Sequence, residues 1–424
     1  MLLIKGGTVH GTGLGTSDVL TRDGRIQSIA GNITATGGME VLDASGLYVA
    51  PGFIDMHVHL REPGYEYKED IMTGAAAAAA GGVTTCCCMP NTSPVADNGG
   101  VIRYIIERAA NAAVRVLPYG AVTIGQRGGE LTDFADLVLA GAVGLSDDGN
   151  PIQSADVMQR ALREAQHCGV PIISHCEDAD IVKDFAVNEG EVSRELGIEG
   201  RPAAAEEIMV ARDALFAEET GARVHIAHVS TAGAVDIIRK AKAANIRITA
   251  ETCPQYITLT ERAILSRGAL ARVNPPLRTE ADVKAIVEGL VDGTIDAIAT
   301  DHAPHSKEEK DRPLEGAPSG MIGLETSLAI ALTFLYHRGK MTLDKIVALM
   351  SSNPAGILGI EGGELREGAR ADIAIFDPRE EWVVEPGKFR SKARNTPFSG
   401  MKLRGRVKYT IFGGRVVYRD QGAQ

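Results

Sequence analysis

The sequence predicts an α/β fold built on a (β/α)8 TIM-like barrel, and three observations support this prediction. Eight short apolar runs, rich in β-branched residues, occur between residues 53 and 300. Longer stretches of helical composition separate most of them, which is typical of parallel strand–helix–strand units. Both ends of the chain consist instead of short strand-like runs broken by glycine and proline.

The eight apolar runs are the predicted barrel strands. They cover residues 53–57, 83–88, 114–122, 142–145, 171–174, 223–227, 246–250 and 295–300. The predicted helices between them cover residues 70–80, 156–168, 203–220, 234–244 and 280–289. Eight strands fit a closed barrel. An open doubly wound sheet is the rival fold, but no GxGxxG sequence opens a helix after the first strand.

The two chain ends resemble each other in their strand pattern. The predicted strands cover residues 2–4, 19–21, 26–30 and 48–50 at one end, and 372–376, 382–384, 407–411 and 415–418 at the other. The sequence therefore predicts three parts: residues 1–51, a metal-dependent catalytic barrel at residues 52–358, and residues 359–424.

Composition excludes several classes of function. The 44 Lys and Arg against 55 Asp and Glu give a net charge of −11, which argues against a protein that binds nucleic acid or anionic membranes. No apolar run approaches the ~20 residues of a membrane span, and the apolar start of the chain is too short for a signal peptide. The six cysteines show no CxxC spacing. We expect reduced thiols and a cytoplasmic protein.

Histidines and carboxylates cluster where the predicted strands end. His57 and His59 end the first run as an HxH pair, and in an extended backbone both rings point to one face. Further polar residues follow later runs: Asn91, Asp147 and Asp148, His175, His228, Asn274, Asp301 and His305. Each motif alone is weak evidence, but all lie at the edge of the barrel where catalytic residues are found.

Six of these residues form a predicted ligand set: His57, His59, Asp148, His175, His228 and Asp301. Six ligands exceed the three of a single open catalytic zinc site. They suit two ions ~3.5–4 Å apart that share a hydroxide. Asp301 is predicted to take the proton from this nucleophile and return it to a leaving nitrogen. Mixed histidine and carboxylate ligands fit Zn²⁺ best, and Mn²⁺ or Co²⁺ also fit.

Other residues are expected to have structural roles. His10, His167, His225 and His337 lie off the predicted rim, and the three cysteines 86–88 are expected to pack in a buried strand. His302 follows a ligand and should point the other way. Residues 303–320 have loop composition and start beside Asp301, so we expect a loop that covers the site.

Three segments carry a resemblance to a known family. Residues 51–64, with the sequence PGFIDMHVHLREPG, and residues 299–305, with ATDHAPH, resemble the two signatures of the dihydroorotases of the amidohydrolase superfamily. The sequence GGVTT, running into MPNT at residues 89–92, fits as well. The resemblance covers nearly the whole chain. It implies that both chain ends form one small β-sandwich domain beside the barrel.

The resemblance also implies a reaction and a substrate site. The reaction is the reversible, zinc-dependent ring opening of (S)-dihydroorotate to N-carbamoyl-L-aspartate in pyrimidine biosynthesis. By likeness, Arg61, Asn91 and His305 bind the substrate carboxylate, while Asn274 and the backbone at Ser319 and Gly320 hold the ring. One or two zinc ions per subunit, a homodimer and association with aspartate transcarbamoylase are further expectations.

The chain departs from many relatives of this family in one respect. Those relatives bridge two metals with a carboxylated lysine at the end of the fourth strand. Between Glu69 and Val182 this chain contains no lysine. Asp148 resembles the aspartate that the class I bacterial branch has at that position, and the likeness favours it over the neighbouring Asp147.

Two alternative functions compete with this hypothesis. Another cyclic amidohydrolase, such as a hydantoinase or an allantoinase, would not need the carboxylate clamp of Arg61, Asn91 and His305. A non-catalytic partner of aspartate transcarbamoylase would typically lack metal ligands, whereas all six ligand positions are filled here.

Overall fold

Strands and helices alternate through the centre of the chain in the computed structural model, which describes residues 1–11, 13, 15–183 and 185–420. The strands are β1 Leu2–Val9, β2 Thr16–Arg22, β3 Arg25–Ala30, β4 Glu40–Asp43, β5 Tyr48–Pro51, β6 Phe53–Val58, β7 Val83–Cys88, β8 Arg115–Pro118, β9 Ile172–Ser174, β10 Val224–Ile226, β11 Ile248–Thr252, β12 Ala297–Ile298, β13 Ile373–Val383, β14 Lys402–Phe412 and β15 Arg415–Arg419.

The α-helices lie mainly between the central strands. They are α1 Ile71–Ala80, α2 Gly99–Arg108, α3 Phe134–Ala140, α4 Ala155–Cys168, α5 Ala179–Val182, α6 Glu191–Leu196, α7 Ala204–Thr220, α8 Ala232–Ala243, α9 Pro254–Thr258, α10 Ala263–Arg267, α11 Glu280–Asp292, α12 Lys307–Lys310, α13 Ser327–Ala331, α14 Leu343–Met350 and α15 Ser352–Leu358. A π-helical turn at Leu332–Tyr336 continues α13. No described helix is both long enough and apolar enough to cross a membrane.

The central strands form two parallel sheets that isolated bridges join into a ring. One sheet has the order β6-β7-β8, and the other contains β9 to β12 in chain order. Parallel bridges connect Gly120 with Leu145 and Leu145 with Ile172, and another connects Val58 with His302. The pairing order therefore returns to its first strand, as in the predicted (β/α)8 barrel.

The predicted third and fourth strands are shorter than their apolar runs. Run 114–122 forms a strand only at Arg115–Pro118. Run 142–145 forms no regular strand and is held by the two bridges of Leu145. Backbone hydrogen bonds of Val143, Gly144 and Ser146 with the preceding strand segment support this pairing.

The six consecutive alanines form a packed helix, as the sequence predicts. Asp70 caps α1 by accepting a hydrogen bond from the backbone of Thr73, and the Thr73 side chain completes a capping box. Most of these alanines are buried, because small side chains let the helix approach its neighbours closely. Gly81 ends the helix where a Cβ atom would lie 2.1 Å from the carbonyl oxygen of Leu324.

The two chain ends share one eight-stranded sheet. Its order is β15-β14-β13-β5-β1-β2-β3, with β4 paired to β1. The junction between the ends is the antiparallel pair β13–β5, in which Ile373 faces Pro51 and Phe376 faces Tyr48. One face encloses its own apolar core, which includes Leu2, Ile4, Val19, Ile26, Val49, Ile373 and Ile411.

The other face of this sheet packs against the barrel. The Phe376 ring centroid lies 5.4 Å from that of Tyr48 and 6.2 Å from that of Phe53, at the start of the first barrel strand. The Thr410 hydroxyl donates a hydrogen bond of 2.6 Å to the carbonyl of Ala79 in α1. The predicted boundaries at residues 51 and 358 fall beside the ends of β5 and α15, and they stay a prediction; residues 421–424 lie outside the described part.

The contact at Gly81 gives a test of the fold. Gly81→Ala places its Cβ against a backbone oxygen, so we expect it to lower the free energy of unfolding by about 1–3 kcal/mol. Urea unfolding followed by circular dichroism measures the change. Gly387→Ala is the control, because a Cβ there has no neighbour within 4 Å. Equal stability of the two variants would contradict the close packing of α1.

Candidate metal centre and active site

The predicted ligands all lie at the carboxyl ends of the barrel strands. His57 is in β6, and His59 follows that strand directly. His175 comes directly after β9, while His228 and Asp301 follow β10 and β12 within three residues. Three site residues have positive φ angles: Arg61 at 65°, His228 at 36° and Asp301 at 48°. Such backbone strain in non-glycine residues is concentrated at functional sites.

The carboxylate of Asp148 lies at the centre of the cluster. Its Oδ1 atom is 3.2 Å from Nδ1 of His175 and 3.4 Å from Nε2 of both His57 and His228. Its Oδ2 atom is 3.5 Å from Nε2 of His59. One carboxylate thus contacts four imidazoles that come from the ends of three strands, β6, β9 and β10.

The neighbouring Asp147 points away from the cluster. Its carboxylate accepts hydrogen bonds from the backbone of Val122 at 2.8 Å and of Thr123 at 3.1 Å. Burial raises the pKa of Asp147 to about 6. For Asp148, burial also raises the pKa, but the surrounding histidines, His57 above all, hold it well below its usual range. Geometry therefore distinguishes two carboxylates that the residues alone left equivalent.

Asp301 forms the second half of the cluster. Its Oδ1 atom lies 3.1 Å from Nε2 of His59 and 3.6 Å from Nε2 of His57. Two groups of side chains place their ligand atoms within 4.8 Å of one another: His57 with Asp148 and His228, and His57 with His59 and Asp301. His57 belongs to both groups, and His175 joins them through Asp148 at 3.2 Å and His228 at 2.8 Å, so the six residues form one continuous centre.

The tautomers of two histidines fit a metal ion. His57 donates from Nδ1 to Glu251 Oε1 at 2.8 Å, and His59 donates from Nδ1 to Asn91 Oδ1 at 3.0 Å. The lone pairs of both Nε2 atoms then face the centre. The Nε2 atom of His57 is buried without a hydrogen-bond partner in the described structure. An orphaned, inward-facing nitrogen in a cluster of carboxylates is what a divalent cation requires.

The centre opens into a cavity of about 230 Å³. Its lining includes every predicted site residue except the fully buried His57: His59, Arg61, Asn91, Asp148, His175, His228, Asn274, Asp301, His305, Ser319 and Gly320. Gly149 and Ala303 complete the wall. The predicted metal ligands and the predicted substrate residues therefore share one space.

The part of the cavity wall that contains Arg61 is positively charged. Arg61 donates from Nε to the carbonyl of Pro304 at 3.2 Å, and its Nη2 lies 3.4 Å from Nε2 of His305. None of the described carboxylates pairs with this guanidinium. Burial, with the charges of Arg61 and Lys68, lowers the pKa of His305 to about 2. His305 is therefore neutral, and its Nε2 donates to the carbonyl of Ser319 at 2.8 Å.

Asn274 is held by a buried ion pair that the sequence did not indicate. Its Nδ2 donates to Glu177 Oε2 at 3.0 Å, and its Oδ1 accepts a hydrogen bond from Arg201. Arg201 also pairs with Glu177 at 2.7 Å. The pKa of Glu177 falls to about 2, because His175 and Arg201 outweigh the effect of burial. No motif marks Arg201, since the chain brings it to the site from a loop between two helices.

Two more buried carboxylates hold the predicted ligands in place. Glu251 in β11 accepts a hydrogen bond from Nδ1 of His57. Asp55 accepts hydrogen bonds from the backbone of His57 at 3.2 Å and of Thr300 at 3.1 Å. Burial raises the pKa of Asp55 to about 7. Both residues were missed at the sequence level, although a carboxylate within an apolar barrel strand is a signal that could have identified them.

Residues 303–320 lie along one wall of the cavity, where a covering loop was predicted, and include the short helix α12. Lys310 in α12 donates to the carbonyls of Pro318 at 2.9 Å and Gly320 at 3.0 Å. Asn395, from the C-terminal part of the chain, donates to the carbonyls of Ala303 and Gly320 at 3.1 Å each. The two ends of the loop are thus fastened to each other.

The remaining histidines lie outside the ligand cluster. His302 points to Glu69 at 3.5 Å rather than to the cluster. His10 pairs with Asp344, while His167 and His337 contact backbone carbonyls. His225, however, lies 3.3 Å from the carboxylate that holds His57.

Comparison with known proteins identifies the family. Residues 46–234 match the family described as dihydro-orotase-like, and residues 321–418 match the amidohydrolase family. The chain is 54% identical to a dihydroorotase of Pelotomaculum thermopropionicum and 50% identical to one of a Geobacter species, each over 99% of both chains.

Solved structures show the same fold. An L-hydantoinase from Arthrobacter aurescens superposes with a TM-score of 0.90 at 26% identity, over 100% of this chain and 97% of that one. A dihydropyrimidinase from Brevibacillus agri gives a TM-score of 0.86 at 25% identity, over 99% of this chain and 95% of that one. The fold, the two family matches and the high identity over the full length agree, and the chain belongs to the dihydroorotase family of cyclic amidohydrolases.

Proposed function

We propose that this enzyme opens and closes the ring of (S)-dihydroorotate, with N-carbamoyl-L-aspartate as the open form. The observation that carries the proposal is Arg61, a cation at the cavity wall without a carboxylate partner among the described residues. It lies in the same small cavity as the six-residue cluster. A substrate with a carboxylate at one end and a cyclic amide at the other matches both features.

The part of the cavity that contains Arg61 is suited to bind the carboxylate of the substrate. A guanidinium binds a carboxylate through two parallel hydrogen bonds. The Asn91 amide adds an uncharged donor beside Arg61, and the neutral His305 lines the same part of the cavity. The amide of Asn274 and the backbone at Ser319 and Gly320 line the same cavity, where they would hold the ring.

The six cluster residues would hold the metal: His57, His59, Asp148, His175, His228 and Asp301. When bound, a divalent metal supplies a water molecule that ionises near neutral pH and a positive charge that polarises the ring carbonyl. We propose zinc, one or two ions per subunit, because the ligand set mixes imidazole with carboxylate.

Asp301 is the proposed proton carrier. Its carboxylate lies on the cavity wall, and one of its oxygens is directed at His59. Ring opening requires a proton to leave the attacking water and to reach the departing ring nitrogen. A single carboxylate beside both positions can accept the first proton and deliver it to the nitrogen, and the reverse order serves ring closure.

The runner-up function is hydrolysis of a neutral cyclic amide, which the hydantoinase neighbours favour. Such a substrate has no carboxylate to bind Arg61. A scaffold without catalysis is less consistent with the structure, because the inward-facing Nε2 atoms of His57 and His59 would then serve no purpose.

Arg61→Ala tests the substrate. We expect kcat/KM for dihydroorotate to fall by ~10²–10³-fold, since a charge-assisted pair to the substrate is lost. Turnover of a neutral hydantoin, if measurable in the wild type, should change little. Arg163→Ala, on the exposed surface of α4, is the control. The proposal fails if dihydroorotate turnover survives and hydantoin turnover is lost.

Asp301→Asn tests the proton carrier. The amide keeps the size of the side chain but cannot accept the proton, so kcat should fall by ~10²–10⁴-fold in both directions of the reaction. Steady-state rates with dihydroorotate and with carbamoyl-aspartate, on protein of measured metal content, give the result. An Asn variant that keeps its metal and at least a tenth of the wild-type rate would assign the proton transfer elsewhere.

The choice of an aspartate rather than a carboxylated lysine as the shared ligand gives a third test. Asp148 occupies the centre of the cluster, and residues 70–181 contain no lysine that could be carboxylated. Metal-replete enzyme should therefore show the same activity in CO₂-free buffer and in added bicarbonate. A strong rise with bicarbonate would contradict the aspartate bridge, and purified protein without metal would favour the scaffold.

Association and location rest on the family likeness. We propose a homodimer that functions in the cytoplasm in pyrimidine biosynthesis, with aspartate transcarbamoylase as a candidate partner. Analytical ultracentrifugation of the protein alone and mixed with aspartate transcarbamoylase measures both associations.

A further inference from the structure

We propose that Glu251 positions His57 for metal binding and strengthens the metal–nitrogen bond from behind. The inference rests on the metal site of the proposed function. Glu251 lies in β11, between β10 and β12, the strands that lead to His228 and Asp301. Its side chain and that of His57 are both 0% exposed. Its Oε1 accepts the Nδ1 proton of His57 at 2.8 Å.

This hydrogen bond decides which nitrogen of His57 is available. A carboxylate can only accept, so the proton must lie on Nδ1 and the lone pair on Nε2. That Nε2 atom lies 3.4 Å from Asp148 and 3.6 Å from Asp301. An anion behind the ring also increases electron density at the ligating nitrogen, and the fixed ring plane spares the loss of rotational freedom when the metal binds.

A second pair of residues, His225 and Thr249, lies beside the Glu251 carboxylate. Its Oε2 lies 3.3 Å from Nε2 of His225. Nδ1 of His225 in turn lies 2.8 Å from the hydroxyl of Thr249, its register partner on the adjacent strand. Thr249, His225 and Glu251 thus form a chain of contacts that leads up to His57. This gives His225, which the sequence placed off the rim, an indirect role.

His57 is the ligand where such support matters most. It is the one residue that belongs to both groups of the cluster. It is also absent from the cavity wall, so no substrate atom can take over the contact. His59, by comparison, rests on the neutral amide of Asn91. The charged support therefore lies behind the histidine shared by the two halves.

The molecule contains a matched control pair. Glu69 is 0% exposed and His302 is 1% exposed, with 3.5 Å between their side chains. Glu69 also accepts hydrogen bonds from Ser391 and Thr73. Neither residue belongs to the ligand cluster. If removing a buried carboxylate lowers zinc affinity only by destabilising the fold, then substitution of Glu69 should lower zinc affinity as much as substitution of Glu251.

The test compares Glu251→Gln with Glu69→Gln. Zinc affinity is measured on the full-length apoprotein by competition with a chromophoric chelator, and the absorption spectrum of Co²⁺-loaded protein reports ligand geometry. We expect Glu251→Gln to bind zinc ~10- to 100-fold more weakly than wild type and to alter the Co²⁺ spectrum. Glu69→Gln should stay within about threefold of wild type, whatever its unfolding midpoint.

The outcomes separate a failure of this inference from a failure of the proposed metal site. Wild-type affinity in Glu251→Gln, or an equal loss in Glu69→Gln, overturns the inference while leaving the proposed function intact. Wild-type protein that binds no zinc overturns the metal site itself. If Glu251→Gln is recovered unfolded, Glu251→Asp decides: it keeps the charge but withdraws the carboxylate from Nδ1 of His57, so a loss of affinity greater than that of Glu69→Asp supports the inference and wild-type affinity overturns it.

Discussion

The contact of one carboxylate, Asp148, with four imidazoles is the constraint on which the site depends. The four histidines come from three regions of the barrel that are far apart in the chain, and they meet only because the parallel strands close into a ring. Four rings around one buried carboxylate bring ring nitrogens close together: Nδ1 of His175 lies 2.8 Å from Nε2 of His228. Positive charge stabilises such an arrangement, and a divalent cation at the proposed site would supply it.

Sequence reasoning located the site because of a geometric regularity. In a parallel barrel every strand delivers its last residues to the same edge, so polar residues at the ends of apolar runs converge whatever the connecting helices do. The same reasoning could not choose between Asp147 and Asp148. Both follow the same apolar run, and the sequence does not show which of the two side chains points into the cluster. It could not find Arg201 or Asn395 either, because both reach the site from loops whose paths no periodic pattern describes.

The β-rich ends show a different limit of prediction. Each strand could be recognised by composition, but the pairing of β5 with β13 joins residues more than three hundred positions apart. Local patterns carry no information about such a partner. The pairing also merges two predicted strands, 372–376 and 382–384, into the single strand β13, which continues through Pro378 with an irregular register. Only the family resemblance indicated that the two ends belong together.

The amide of Asn395 has a consequence for how this enzyme comes into being. It holds both ends of the 303–320 loop, and it follows Asp301, the last of the six cluster residues, by 94 positions. At ~5–20 residues per second, a ribosome therefore adds Asn395 several seconds after the last cluster residue. Every residue proposed to hold the metal is thus synthesised before the residue that fixes the loop at the cavity wall.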